Sequence, residues 1–368
     1  MSSANDYSRK VEGLEEIKVT ETPEGTTLRA SASRIVFALL RLSIGFAIIF
    51  YLVKSGSIDW RALSKLFTQW PITLVAVALL LFDVALIALR LCWLFRPLGM
   101  RLRLYDSMQL TLIGFLFATF LPGAAGGDLA RIFYAAKEKT ARRTEIIAVL
   151  IFDRVIGLFS LLLLPLSFAP MFPNLLRTVP VVRALLITVA LFAAGMLGAF
   201  LILVFKSSWM NQKIPNTNRL FPRRHAVEQL RATIATYRRS PWTLLLALGI
   251  SLVANLSLVA VTALGVLALN PASWSMEMCI MIPIGHIANS LPITPGGLGV
   301  GETAFNALFG VAGLRGGAEA LLCWRIWRAL VSLLGLAFYL RGFRLRFLVT
   351  EATASSDESS AESKVCPK

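Results

Sequence analysis

Charged side chains stand inside some of the most apolar stretches of this 368-residue chain. Asp153 and Arg154 are adjacent, and Arg325 and Arg328 lie about one helical turn apart. An ionisable side chain at the centre of a membrane helix costs at least about 2.5–3.5 kcal/mol, so it needs a partner or a function. Arginine binds phosphate through paired hydrogen bonds, and these residues therefore predict an anion site.

Two similar breaks accompany the charges, LPGAAGG at 121–127 and LPITPGG at 291–297. Glycine allows the backbone to turn and to approach a ligand closely. Half-helices that start after each break would direct backbone N–H groups towards an anion. The candidate substrate-binding residues are those at the breaks and on the helices beside them: Gly123, Gly126, Gly127, Asp128, Arg131, Asp153, Arg154, His286, Gly296, Gly297, Gly299, Glu302, Arg325 and Arg328.

The balance of these charges favours an anionic guest. With Arg41, Asp83 and Arg90 added, the apolar segments hold six arginines against four carboxylates and one histidine. Each charge taken alone is as well explained by an interhelical ion pair. Asp128 and Glu302, which directly follow the glycines, could cap helices, pair with Arg131 and Arg154, or bind protons.

Composition excludes a soluble protein. The chain is 56% hydrophobic with a mean hydropathy of +0.69, which is typical of an integral membrane protein. The net charge of +16 is explained by basic cytoplasmic loops, and no nucleic-acid partner is expected. Four cysteines and two histidines form no disulfide or metal-ligand pattern, so we expect no metal, cofactor or catalytic residue.

Six apolar runs are long enough to span a bilayer. They are Ile35–Val53, Pro71–Phe95, Ile146–Phe172, Val181–Phe205, Thr243–Leu269 and Leu321–Leu340. Lysine and arginine collect in the connections 96–107, 135–144, 206–240 and after 340, which predicts that these are cytoplasmic. The connection 54–70 is also basic, against this scheme, which places it outside.

Two further apolar segments do not fit full spans. Met108–Leu121 would reach only about 21 Å as a helix, and both of its flanks are basic. It is therefore predicted to be a re-entrant hairpin from the cytoplasmic side, and residues 280–313 to be one from the opposite side. The predicted fold is an all-α polytopic membrane protein, with six spans and two re-entrant hairpins in an inverted-topology repeat.

The predicted transmembrane domain covers residues 34–345, with repeats at 35–172 and 181–340. Residues 1–33 and 346–368 are polar and are predicted to be disordered cytoplasmic tails. The loop segment 223–239 is either an amphipathic interfacial helix or an ordinary basic loop.

Three segments resemble a known family: PGAAGGDLARIFYAAK (122–137), FDRVIGL (152–158) and PITPGGLGVGE (292–302). Their order is similar to that in the lysylphosphatidylglycerol synthase transmembrane family, also called flippase-like domain proteins, over roughly residues 35–345. The resemblance implies movement of lipids or lipid-linked intermediates between leaflets. Full synthases add a soluble aminoacyl-transfer domain where this chain has an acidic tail, so lysyl transfer is not expected.

The expected function is a flippase or transporter for an anionic, phosphate-bearing lipid in the cell (inner or plasma) membrane, with both termini cytoplasmic. The alternatives are a membrane-embedded enzyme acting on polyprenyl-phosphate or glycolipid intermediates, and an accessory lipid-binding protein. Membrane lipids are the expected partners, with a glycosyltransferase or another lipid-biosynthesis protein as a further possibility.

Overall fold

The computed structural model describes residues 68–120, 126–138, 143–206, 233, 235–291, 294, 297–341 and 347–349. The α-helices bounded within these ranges are α1 Trp70–Phe95, α2 Leu104–Phe120, α3 Gly126–Glu138, α4 Arg143–Phe168, α5 Pro173–Thr178, α6 Pro180–Lys206, α7 Pro241–Leu269, α8 Met278–Asn289, α9 Val300–Val311 and α10 Gly317–Leu340. Two short strands, β1 Met100–Leu102 and β2 Phe347–Val349, pair antiparallel.

Five of the described helices are long and apolar enough to cross a membrane: α1, α4, α6, α7 and α10. They coincide with five of the six predicted runs, and the sixth, Ile35–Val53, lies outside the described residues. Proline occupies the first turn of α1, α6 and α7, where its missing N–H is tolerated. The chain is therefore a helical, multi-pass membrane protein.

Helices α2 and α3 form a packed hairpin around the first predicted break. A methyl group on Gly127 would overlap the carbonyl oxygen of Gly114 on α2. The aliphatic part of Arg131 lies against Gly114 as well, and Phe117 contacts Tyr134. Small residues at 114 and 127 therefore allow the two helix backbones to approach closely.

Helices α8 and α9 form a second packed hairpin. The connection contains Gly297 and Gly299, whose φ angles of 71° and 81° lie in the left-handed region that glycine adopts without strain. Gly285 on α8 packs directly under the Phe305 ring on α9. The predicted helix–break–helix pattern is thus present at residues 278–311, whereas the first break, residues 121–125, lies outside the described residues.

The helix contacts of the two halves correspond to one another. Helix α1 packs against α7, its equivalent in the second half. Helix α2 packs against α10, and its equivalent α8 packs against α4. Helix α3 packs against α4, as α9 does against α10. The described helices of the two halves therefore make matching contacts.

The two hairpins are attached near opposite ends of α10. At its C-terminal end, Phe338 contacts Tyr105 at the start of α2, and Tyr339 contacts Tyr134 late in α3. At its N-terminal end, Gly317 lies against Phe305 and Phe309 of α9, and the connection from α9 is only a few residues long.

The β1–β2 pair was not predicted. It joins the chain that follows α1 to the chain that follows α10, so the basic connections after Phe95 and Leu340 lie on the same side of the bundle. Strand β2 also lies within the segment assigned from sequence to the C-terminal tail.

Most of the segment 223–239 lies outside the described residues. Tyr237 is described, and it is buried in the protein, where it packs against Phe152. Burial raises the pKa of its hydroxyl, which stays protonated and donates a 2.7 Å hydrogen bond to the Leu94 carbonyl. This end of the segment is therefore anchored in the core.

Candidate functional site

The first cluster of charges is centred on Asp153 of α4, which is almost fully buried. Arg90 of α1 donates from Nε to Asp153 Oδ1 at 2.7 Å and from Nη1 to the Ser251 hydroxyl of α7 at 2.8 Å. Arg131 of α3 donates from Nη1 to Asp153 Oδ2 at the longer distance of 3.3 Å. The Asp153 carboxylate thus connects α4 to α1 and α3 and balances two guanidinium groups, and Arg90 extends the network to α7.

Arg131 is only partly satisfied by this contact. Its Nε and Nη2 atoms are buried and have no hydrogen-bond partner within the described part of the chain. The hairpin is therefore held to Asp153 by the longer of its two ion pairs, while Arg90 forms the shorter one.

The second cluster lies at the break between α8 and α9. Glu302 is fully buried, and its Oε2 accepts a 2.7 Å hydrogen bond from the Gly299 N–H, the N-cap group of α9. Its Oε1 lies 2.8 Å from Arg325 Nε of α10. Arg325 Nη2 also donates to Asn289 Oδ1 at 2.7 Å and to the Gly297 carbonyl at 2.9 Å. Glu302 therefore both caps its helix and pairs with an arginine.

A fourth ion pair also joins α3 to α4. Arg154 Nε lies 3.2 Å from Asp128 Oδ2, and both side chains are accessible, Arg154 by 53% and Asp128 by 30%. The side chains of these adjacent α4 residues therefore point in different directions, since Asp153 faces the buried cluster and Arg154 faces the surface.

Arg328 differs from these arginines. Its guanidinium carbon lies 4.4 Å from the Phe115 ring centre and 4.9 Å from the Trp324 ring centre, so it contacts the faces of two aromatic rings. Its Nε is buried with no hydrogen-bond partner among the described residues.

Charges from both halves of the chain act on Arg328. Asp83 is the carboxylate that interacts with it most strongly, yet no ion pair within 4.0 Å joins the two in the described ranges. Arg154, Arg325 and Asp128 also lie within electrostatic range of it. Arg328 is therefore a cation surrounded by charges that it does not contact.

Arg328 occupies a sequence spacing at which the first half of the chain forms an ion pair. Arg154 follows Asp128 by 26 residues, and Arg328 follows Glu302 by 26 residues. In the first half the two residues at this spacing form the ion pair, but in the second half Glu302 pairs with Arg325, one turn earlier. Arg328 therefore has no ion-pair partner within 4.0 Å among the described residues.

His286 of α8 is buried beside this group. Its Nε2 lies 2.9 Å from the Thr262 hydroxyl of α7, and its ring makes edge-on contacts with Phe305 and Trp324. His286 and Arg328 thus both contact the Trp324 ring.

The structure adds two buried carboxylates at helix starts to those counted within the apolar segments. Asp106 and Glu319 are buried carboxylates in the first turns of α2 and α10, and both were missed. An acidic residue in the first turn is stabilised by the helix dipole, which was the available signal. With them included, acidic groups are as numerous as arginines, so the indication of an anion site comes from the contacts of Arg328 and not from net charge.

The glycines have a packing role where they are described. Gly127 is closed by Gly114 and Ala118, and Gly297 by Asn289, so neither faces open space. Gly126 begins α3, and Gly299 is the N-cap residue of α9. Gly123 and Gly296 lie outside the described residues.

Fold and contacts together define a polytopic helical membrane protein, with two glycine-broken hairpins and a set of ion pairs between its membrane helices. A family model, the lysylphosphatidylglycerol synthase TM region, matches residues 38–338, and the chain belongs to that family, which is related to lipid flippase-like membrane domains. Comparison with curated proteins and with solved structures finds no match.

Proposed function

We propose that this protein moves a lipid with an anionic, phosphate-bearing headgroup between the leaflets of the cell membrane. The observation that carries the proposal is Arg328, a guanidinium held between Phe115 and Trp324 without a carboxylate in contact. A cation kept in this state inside a membrane protein is costly unless an anion binds it at some stage. A phosphate oxygen accepts the hydrogen bonds that such a group offers.

The depth of Arg328 supports this proposal. It is the twelfth residue of α10, a 24-residue helix, so it lies about 16 Å from the start of that helix. This is close to the middle of a hydrocarbon core about 30 Å thick. A headgroup bound there has left one surface of the bilayer and has not reached the other.

The arrangement of the hairpins also supports it. The first is attached at the C-terminal end of α10 and the second near its N-terminal end, as expected for two re-entrant hairpins from opposite faces. The matching helix contacts of the two halves support an inverted-topology repeat. In proteins of that architecture the substrate site lies near the midplane, and one repeat moves against the other.

In this mechanism the headgroup binds Arg328, and the Asp128–Arg154 and Glu302–Arg325 pairs keep the neighbouring charges neutral. The hairpin contact through Arg131 is the longer of the two ion pairs at Asp153, so it is the one we expect to break when the hairpin moves. The sixth span and cytoplasmic termini are part of the same proposal.

Transport in proteoliposomes tests it. A fluorescent phosphatidylglycerol is reconstituted with the parent protein, with Arg328→Gln, and with Arg96→Gln as the matched control. Arg96 also stacks on an aromatic ring, Trp93, but it lies beyond the end of α1. Loss of a charge-assisted hydrogen bond should slow leaflet exchange of Arg328→Gln on the order of tenfold or more, whereas Arg96→Gln should exchange at the parent rate.

An unchanged rate for Arg328→Gln refutes the proposed site. The same samples separate the other function classes. A new lipid product on chromatography would indicate a membrane-embedded enzyme, and exchange that requires a co-purified partner would indicate an accessory role.

A further inference from the structure

The Asp128–Arg154 ion pair lies on an outer surface of the described protein, at a depth where water is scarce. Arg154 is the twelfth residue of α4, about 16 Å along that helix, and its side chain is 53% accessible. Arginine near a helix end can extend to the membrane surface, but Arg154 is too far from either end of α4 for that. An accessible charge pair at this depth needs a polar neighbour.

The side chains around the pair are apolar and exposed. Leu129 and Phe133 stand one turn apart on α3 and are 64% and 63% exposed. Ile151, one turn before Arg154 on α4, is exposed as well. This surface, called here the α3–α4 face, thus has a charged centre and an apolar border, which is the polarity of a lipid with its headgroup and chains.

The face leads to Arg328. Arg154 and Asp128 both lie within electrostatic range of Arg328, although they belong to α4 and α3 and Arg328 belongs to α10. A headgroup that contacts Arg154 at the surface is therefore also within electrostatic range of Arg328, whose Nε is buried.

We infer that the α3–α4 face is the lateral portal through which the lipid is admitted. The anionic headgroup replaces Asp128 as the partner of Arg154, while the acyl chains remain in the bilayer against Leu129 and Phe133. This inference rests on the proposed function and extends it, because it names the route of the lipid and the ion pair that must open.

Photo-cross-linking tests the portal. p-Benzoylphenylalanine replaces Phe133 in one sample and Phe192 of α6, which is 70% exposed, in the control. Both proteins are placed in nanodiscs of equimolar phosphatidylglycerol and phosphatidylcholine, and mass spectrometry of the adducts gives the ratio of the two lipids. We expect adducts at position 133 to be enriched in phosphatidylglycerol on the order of tenfold, and those at 192 to follow the bulk ratio.

Two further variants in the Phe133-labelled protein separate headgroup binding from a structural ion pair. Arg154→Gln should return the ratio at position 133 to the bulk value. Asp128→Asn should raise the enrichment, because it removes the competing carboxylate. A pair that only holds α3 to α4 would give changes of the same sign in both variants.

Equal lipid ratios at positions 133 and 192 would refute the portal. A cross-link from position 133 to another residue of the protein would also refute it. Enrichment of phosphatidylglycerol at position 133 that persists in Arg154→Gln would refute it as well. The transport assay makes these failures distinct from failure of the proposed function. If Arg328→Gln loses lipid exchange but position 133 shows no enrichment, the transport function is supported and the portal is refuted. Enrichment at 133 in a parent protein that exchanges no lipid removes the function.

Discussion

Substitution of Glu302 gives the sharpest test of how the second hairpin is held. The carboxylate is fully buried, with one oxygen on the Gly299 N–H at 2.7 Å and the other 2.8 Å from Arg325 Nε. Glu302→Gln removes the charge but keeps an amide oxygen that can accept from Gly299. Glu302→Ala removes both contacts.

The expected destabilisation depends on the charge of Arg325 that remains after the substitution. Breaking a buried ion pair from one side costs about 3–5 kcal/mol, because the remaining charge stays uncompensated. Arg325 keeps its hydrogen bonds to Asn289 and to the Gly297 carbonyl, so we expect Glu302→Gln to lose about 3 kcal/mol of unfolding free energy. Glu302→Ala should lose a further ~0.5–2 kcal/mol through the lost cap.

The assay is unfolding by sodium dodecyl sulfate in mixed micelles, followed by circular dichroism, with a double-mutant cycle through Arg325→Gln. Removing both partners also removes the uncompensated charge, so the double variant should be less destabilised than the sum of the two single variants by about 2 kcal/mol or more. Glu277→Gln is the matched control, because Glu277 precedes α8 by one residue, and it should change stability by less than about 1 kcal/mol.

Two results would refute this reasoning. A loss below about 1 kcal/mol for Glu302→Gln would show that Arg325 does not depend on the carboxylate. Strict additivity in the cycle would show that the two residues act separately.

Two more predictions concern stability, each measured by thermal unfolding in detergent. Asp153→Asn should destabilise by about 3 kcal/mol or more, since it leaves two buried guanidinium groups without a counter-charge, whereas the partly exposed Asp128→Asn should cost about 1 kcal/mol or less. Equal effects would contradict the assigned difference in burial. Gly335→Ala should cost about 1–3 kcal/mol, because its methyl group would overlap the Leu112 carbonyl, while Gly249→Ala, which has open space around it, should be neutral or stabilising by up to about 1 kcal/mol. A Gly335→Ala variant as stable as the parent would show that α10 does not pack on α2 as described.

Much of the fold could be predicted from local properties of the chain. The five described spans coincide with apolar runs because the thickness of the bilayer sets a minimum length for a helix that crosses it. The second break coincides with Gly297 and Gly299 because their left-handed backbone is strained for other residues. The β1–β2 pair was missed, since two three-residue strands far apart in sequence leave no periodic signal.

Sequence and tertiary structure contribute differently to the assignment of the ion pairs. That Asp128 pairs with Arg154 was one of the alternatives open from sequence, and the structure selects it. Arg131 pairs with Asp153 instead of a residue near its own break, and Glu302 pairs with Arg325. Sequence reasoning gave no means of choosing, because several carboxylates and arginines were compatible with each pairing.

The sequence alone therefore determined that the chain crosses a membrane, where its helices lie and which residues carry charge into the apolar interior, because length, hydropathy and backbone freedom are local properties. Tertiary structure alone decided that Glu302 takes Arg325 and leaves Arg328 between Phe115 and Trp324. That choice depends on how α9, α10 and α2 pack together, and an ion pair forms only between groups that packing brings within a few ångströms.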